Sequence, residues 1–232
     1  MSDETATEST TWRKLAVDRS LDTARVRAEK RVQRFLDAAL ELMMSSPDRE
    51  FTVQEVVEAS GQSLRSFYQY FAGKHELLLA LFEEAIAGAV DQLEAAIEGV
   101  EDPLERLHVV TVDYYRMCRA GDTGSGRSSS KYPSAARVMA DFAHQLLTKH
   151  PGEAARAFEP LSNLYEGLLE DAAATGAIRR GLDHRQITGV VLQAVMFNSF
   201  ADTISGAGRA SADGSAEGVW ALLLDGLGKG KR

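Results

Sequence analysis

An all-α fold is what the sequence predicts: a small three-helix unit towards the N-terminus and a larger helical body behind it. Three observations carry that prediction. Apolar residues recur at steps of three and four along nearly every stretch after residue 22, the period of a helix with one buried face. No run alternates apolar and polar residues between turn signals, as a half-buried strand would. Capping residues, glycines and prolines punctuate the helical stretches at Thr52, Gly61, Gly73 and Asp102-Pro103, where helix ends need them.

Each element follows in order. Val32, Phe35, Leu36, Ala39, Leu40 and Met43 form a stripe along a first helix from about Asp22 to Met44, which Ser45, Ser46 and Pro47 end. Thr52 and Glu55 have capping-box spacing for a short second helix with Val53, Val56 and Val57 inside. Gly61 breaks it, and Ser63 caps a third helix to about Phe71. Two short helices joined by a glycine turn form a helix-turn-helix pattern. A connector helix, His75 to about Ile97, carries Leu77, Leu78, Leu81, Phe82, Ile86, Val90 and Leu93 inward. Asp102 and Pro103 start a fifth helix reaching about Arg119. Further helices are expected near Ser134–Lys149, Glu159–Thr175, Asp183–Ser205 and Ser215–Leu227, with polar Gly/Ser links at Gly121–Ser130 and Gly206–Gly214. This divides the chain into a flexible basic N-terminal extension, 1–21, a helix-turn-helix domain, 22–74, and a helical body, 75–232.

Composition bounds the function. The 232 residues are 44% apolar and 26% charged, enough to fill a core and too apolar for a disordered chain. One cysteine, Cys118, makes neither an intramolecular disulfide nor a multi-cysteine metal site, and points to a reducing, cytoplasmic setting. No window approaches the roughly 18 uninterrupted apolar residues of a membrane span, and no export signal stands out. The net charge is -8, which argues against a phosphate-binding surface until its distribution is considered. Between Trp12 and Arg34 eight basic residues face three acidic ones, whereas beyond Lys74 fifteen basic face twenty-two acidic. A basic end on an acidic body suits a protein that meets nucleic acid with one end.

The segment from Thr52 to Lys74, TVQEVVEASGQSLRSFYQYFAGK, combines the Gly61 turn, Ser63, the cluster Phe67-Tyr68-x-Tyr70-Phe71 and Lys74. With the apolar stripe of the first helix, it resembles the DNA-binding signature of the TetR family of one-component regulators over about residues 25–90. The resemblance implies a helix-turn-helix DNA-binding domain followed by a helical ligand-binding and dimerisation domain. It also implies a homodimer on a palindromic double-stranded operator, with a small effector of unknown identity in the body.

The residues agree with that picture on physical grounds. A helix fits the major groove, and Ser63, Leu64, Arg65 and Ser66 lie at its leading end. Arg65 is the first choice for base readout because its guanidinium can bond guanine bidentately; Gln69, one turn on, suits adenine or a phosphate. Tyr68 and Tyr70 stand two apart and cannot share a face, so at least one points outward, while Phe67 and Phe71, four apart, pack inward. Lys74 with the free N–H groups that begin the fourth helix, and separately the Thr52 end of the second helix, supply phosphate contacts. Members of the resembled family usually carry a small residue or glycine where this chain has Arg65, so its base contacts are its own. Trp12, Arg13, Lys14 and Arg19 form either an arm along the DNA or a tail with nonspecific attraction.

In the body, Tyr115, Phe142, Tyr165 and Phe197 are candidates to face a small, apolar effector. Val191, Val195, Met196, Trp220, Leu223 and Leu224 offer apolar surface on the last two helices for a dimer, or else close the monomer core. No Ser/His/Asp arrangement, cofactor motif or metal set stands out. Glu105 and His108 have di-iron spacing without the second pair that such a site needs, Gly121–Ser128 follows a helix where a phosphate loop follows a strand, and Cys118 beside Arg119 reads as an ordinary thiol. The rival from another class is a small-molecule carrier or enzyme with an idle helical N-terminal unit.

Overall fold

The computed structural model describes residues 4–46, 49–118, 135–205 and 212–227. Among them the chain is all-α, with nine helices and no strand. They are α1 (Glu4–Ser45), α2 (Val53–Ser60), α3 (Leu64–Tyr70), α4 (Lys74–Ala96), α5 (Pro103–Cys118), α6 (Ala135–Lys149), α7 (Pro151–Ala174), α8 (His184–Ser205) and α9 (Ala212–Leu227). No helix of the described residues is long and apolar enough to cross a membrane.

Two apolar cores organise these helices. The first gathers Phe35, Leu36, Ala39 and Met43 of α1, Phe51, Val56 and Val57 around α2, and Phe67 and Phe71 around α3. Leu77 and Leu81 of α4 complete it. Phe35 is fully buried and meets Phe67 and Phe71 edge-on, at centroid separations of 5.4 and 6.2 Å, the geometry that aromatic quadrupoles favour. The second core lies among α4 to α9, and Tyr115, Leu161, Tyr165 and Leu169 are at its centre. Helix α4 serves both: its first two turns fill the N-terminal core, and Phe82, Ile86 and Leu93 fill the other. Leu78 and Met139 pack against both cores.

The structure differs from the sequence reading in particular places. Helix α1 begins at Glu4, not at about Asp22, so the stretch read as an extension is helical from that point. No glycine or proline interrupts residues 4–45, and nothing local stops the helix. Its residues from Lys14 to Arg27 are exposed, so the apolar stripe that marks a helix in sequence starts only near Val32. Helix α7 begins at Pro151, with Pro160 inside it. An internal proline forfeits one backbone hydrogen bond, which is why the sequence suggests a start near Glu159; the buried residues Ala154, Ala157 and Leu161 on either side hold the turn. Residues 119–134 and 206–211, which cover the Gly121–Ser130 link and most of the Gly206–Gly214 link, lie outside the described residues, as does Tyr132.

Residues expected to offer dimer surface also fall elsewhere. Val191, Val195, Met196 and Trp220 are buried within the monomer, and Leu223 and Leu224 are half-buried. Among the residues whose burial is described, the outward large apolar side chains of α8 and α9 are Val190, Phe197 and Leu222. Periodicity locates an apolar stripe without revealing which edge of it a neighbouring helix covers.

Phe35→Ala removes the ring on which α3 rests. It is expected to lower unfolding free energy by about 3–5 kcal/mol, measured by chemical denaturation, while far-UV circular dichroism at low denaturant keeps its helical shape.

Candidate nucleic-acid interface and ligand core

Local chemistry sets the two short helices. Thr52 accepts a hydrogen bond from the Glu55 backbone N–H at 3.3 Å, and the Glu55 carboxylate accepts from the Thr52 backbone N–H at 2.8 Å, a complete capping box. The Thr52 hydroxyl also donates to that carboxylate at 2.9 Å, and Arg49 pairs with its other oxygen. The Thr52 backbone N–H and then its hydroxyl hold the Glu55 carboxyl below its ordinary range; desolvation opposes them, and Arg49 adds further lowering. Helix α2 ends on Gly61, in the left-handed region at φ 64°. Gly61 N–H donates to Glu58 C=O, and Gln62 N–H to Val57 C=O at 3.2 Å, which satisfies carbonyls that a helix end leaves open. Ser63 then accepts from the Ser66 N–H at 3.1 Å and starts α3.

This places the predicted DNA-contact residues on one exposed element. Ser63, Leu64, Arg65, Tyr68 and Gln69 are exposed and Ser66 is half-buried. Of the two tyrosines, Tyr68 points outward at 57% exposure, and Tyr70 packs half-buried against the N-terminal core. Phe67 and Phe71 are buried, as their spacing predicts. The outer face of α3 is therefore polar and aromatic while its inner face is fixed.

Flanking groups are already partnered. Lys74 Nζ lies 3.2 Å from Glu50 and 4.7 Å from the centre of the Phe51 ring. Glu50 is almost fully exposed, so this surface pair is weak and a phosphate can replace the carboxylate. The basic side chains described on α1, among them Lys14, Arg19, Arg27 and Arg31, are exposed, and Arg25 pairs with Glu29 at 2.8 Å. One positioning residue was missed in the sequence. Gln62 Nε2 donates to the Arg31 C=O on α1 at 2.9 Å and ties the turn to the first helix; its partner is 31 residues away, and no local pattern marks it.

The body brings three of the four ligand candidates into one core. Tyr115 and Tyr165 are fully buried and Phe142 is nearly so, whereas Phe197 lies at the surface at 37% exposure, edge-on to His144. Tyr165 Oη and Thr111 Oγ1 share a hydrogen bond of 2.6 Å, and burial pushes the Tyr165 hydroxyl up. Ser199 Oγ donates to Val195 C=O at 2.8 Å. Thr188, on the buried side of α8, has a hydroxyl with no hydrogen-bond partner among the described residues, an uncommon and costly state. Neither Thr111 nor Thr188 stands out in sequence, where both interrupt apolar stripes. A separate open cleft of about 660 Å³ lies between the end of α4 and α7, with Asp91, Glu94, Arg106 and Leu164 in its wall. Its wall mixes charged side chains with apolar ones such as Ile97 and Val100, and it includes none of the aromatic set. Burial pushes the Cys118 thiol up to about 12, with the Tyr114 hydroxyl bond a smaller opposing effect, so it is not a reactive thiolate.

Residues 35–81 match the family model described as bacterial regulatory proteins, tetR family. The fatty acid metabolism regulator protein of Bacillus subtilis (strain 168) is 22% identical over 150 residues, 65% of this chain and 72% of the relative. Among solved structures, the fatty acid degradation regulator FadR from Bacillus halodurans superposes with a TM-score of 0.66 at 20% identity, covering 84% of this chain and 98% of that one. FadR from Bacillus subtilis in complex with stearoyl-CoA does so with the same TM-score at 19% identity and the same coverage.

Thr52→Ala is expected to cost about 0.5–2 kcal/mol of stability. The sign with pH follows from the lowered Glu55 carboxyl: its contribution is present above the ordinary carboxylate range and is lost as pH falls through the folded value. NMR titration should place the Glu55 carboxyl below the ordinary glutamate value in the wild type and move it upward in Thr52→Ala.

Proposed function

We propose that the chain is a repressor of the TetR family of one-component transcriptional regulators, whose homodimer holds a palindromic operator until a small apolar effector enters the body. The observation that carries this reading is the orientation of α3. Its inner face is locked by Phe67 against Phe35, and Ser63, Leu64, Arg65, Tyr68 and Gln69 are presented together on the outside. Arg65 reads guanine through two parallel hydrogen bonds, and Gln69 reads adenine or bonds a phosphate. Ser63 and Ser66 bond the backbone, Leu64 and Tyr68 contact thymine methyl groups or sugar, and Tyr70, Thr52 and Lys74 fix register on phosphates. The working units are a helix-turn-helix domain over residues 22–74 and a ligand-binding and dimerisation body over 75–232.

Dimerisation runs through α8 and α9, whose outward Val190 and Leu222 give a second copy apolar surface to cover. Two α3 helices set one helical turn of DNA apart, roughly 34–36 Å, then multiply weak half-site affinities. The effector binds among Tyr115, Phe142 and Tyr165, with Phe197 at the edge and the unpaired Thr188 hydroxyl as a polar handle. A fatty acyl chain is the first candidate, because the Bacillus subtilis FadR superposed above is in complex with stearoyl-CoA. A ligand releases DNA only through differential affinity for two arrangements of the body. The carrier or enzyme reading is not favoured, since it leaves the outward residues of α3 without a role and the relatives are transcription regulators.

Gel-shift and fluorescence-anisotropy titrations on promoter fragments test the DNA half. Arg65→Ala is expected to lose about 1–3 kcal/mol of discrimination, about 5- to 150-fold, at one base position per half-site. Lys74→Ala should weaken all sequences alike and reduce the salt slope by about 1. Discrimination unchanged in Arg65→Ala removes Arg65 from base readout. For the effector, oleoyl-CoA and stearoyl-CoA should release operator DNA from the wild type. Thr188→Val, which removes the hydroxyl at constant shape, should need several-fold more of either while melting no lower; equal potency excludes Thr188 as a contact.

A further inference from the structure

The corner where α4 meets the α6–α7 junction holds a cluster that DNA binding and effector binding leave unused. His75 lies in the first turn of α4, His150 precedes α7 as its N-cap residue, and Glu153 lies in the first turn of α7. His75 Nε2 is 2.7 Å from Glu153 Oε2, His150 Nδ1 is 4.0 Å from the same oxygen, and the two rings stand 4.5 Å apart. One donor atom from each residue falls within 4.8 Å of the others. The side chains are 30 to 44% exposed, so a hydrated ion can reach them. Phe142, 5.6 Å from the His75 ring, backs it on the protein side.

Convergence separates this cluster from the other histidine–carboxylate contact in the body. His108 faces Glu105 through Nδ1 at 3.6 Å and Glu217 through Nε2 at 2.9 Å. Those nitrogens point to opposite sides of the ring, so the two carboxylates cannot meet one ion there. At His75, His150 and Glu153 the three donor atoms share one space.

We propose that His75, His150 and Glu153 form a binding site for a divalent transition-metal ion of the Zn²⁺, Co²⁺ or Ni²⁺ class. Two imidazole nitrogens and one carboxylate oxygen make up the three-protein-ligand set of an open tetrahedral site, with water in the fourth position. Around an ion with bonds of about 2.0–2.2 Å, tetrahedral donors lie about 3.3–3.5 Å apart. The His75–Glu153 separation therefore opens slightly and His150 closes in, changes within reach of side-chain rotation. The first-turn N–H groups of α4 and α7 make the local field positive, which opposes any cation. Coordinate bonds to imidazole must overcome that field, so the site takes transition metals and rejects Mg²⁺ and Ca²⁺, which prefer oxygen donors.

The position gives the ion a consequence. His75 is on the helix shared by both cores, and His150 and Glu153 belong to the body, so an ion bridges the connector to the body beside the Lys74 end of the DNA-contact face. Metal occupancy then biases the same arrangement that the effector biases, and the coupling is reciprocal. This regulatory half rests on the repressor reading; the metal site itself does not.

The test uses the full-length protein, stripped with chelator and dialysed. Calorimetric titration with ZnCl₂ or NiCl₂ should give one ion per chain, and MgCl₂ or CaCl₂ should give no saturable heat. His150→Ala and Glu153→Gln, both at surface positions, should each weaken Zn²⁺ binding by roughly 10–100-fold or more, with circular dichroism unchanged. Absence of saturable Zn²⁺ binding in the wild type overturns the proposal, and so does affinity unchanged in both variants, which places the ion elsewhere. A second titration, with operator DNA, reads the coupling: Zn²⁺ should change DNA affinity several-fold in the wild type and leave His150→Ala unaffected. Equal DNA affinity with and without Zn²⁺ in a metal-binding protein overturns the regulatory half. Sequence discrimination that persists without any Zn²⁺ binding sinks the metal site and leaves the repressor reading standing.

Discussion

Phe35 of α1 meets Phe67 and Phe71 edge-on inside the buried N-terminal core, and the outward face of α3 is defined by that contact. Helix α3 has only the seven residues Leu64–Tyr70, far below the length at which a helix holds itself in water. Its caps at Ser63 and Phe71 set its ends and the Gln62 bond to α1 anchors the turn before it; burial of one aromatic face supplies most of its stability. Arg65, Tyr68 and Gln69 are presented as a set because the residues between them cannot leave the core. A reading surface built on so short an element depends on its back side.

Helix α4 carries the second constraint. Leu77 and Leu81 belong to the N-terminal core while Phe82, Ile86 and Leu93 belong to the body, so neither unit can rotate without repacking one end of the same helix. Tight packing makes such a shared element switch between arrangements more readily than deform continuously. Moving a two-state equilibrium from 1:99 to 99:1 takes about 5.5 kcal/mol of differential affinity. For the proposed apolar effector, burial supplies that only to the extent that one arrangement covers more of the ligand than the other; fully burying one large apolar side chain contributes about 1.5–3 kcal/mol.

Much of this was legible in the sequence, and the exceptions have physical causes. Thr52, Glu55, Gly61 and Ser63 announce the short helices because capping is local chemistry; those boundaries emerge within a residue of expectation. Phe67 and Phe71 could be assigned inward by spacing alone, whereas spacing required only that at least one of Tyr68 and Tyr70 point outward, and the packing of Tyr70 on the core makes it Tyr68. Three things were hidden. The helical stretch before Val32 carries no buried stripe, so periodicity is silent there. The inward positions of Val191, Val195 and Trp220 depend on which helices cover α8 and α9, a tertiary fact. The His75, His150 and Glu153 cluster joins residues 78 positions apart, and neither His75 nor His150-x-x-Glu153 is a metal motif by itself.

The central claim is that two locked α3 helices present matched reading faces to one duplex. Hydroxyl-radical footprinting of the dimer on its operator tests it most directly. The account predicts two patches of protected deoxyribose related by a dyad and separated by one helical turn or a multiple of it. A single patch, or protection that spreads evenly along DNA of any sequence, would contradict it.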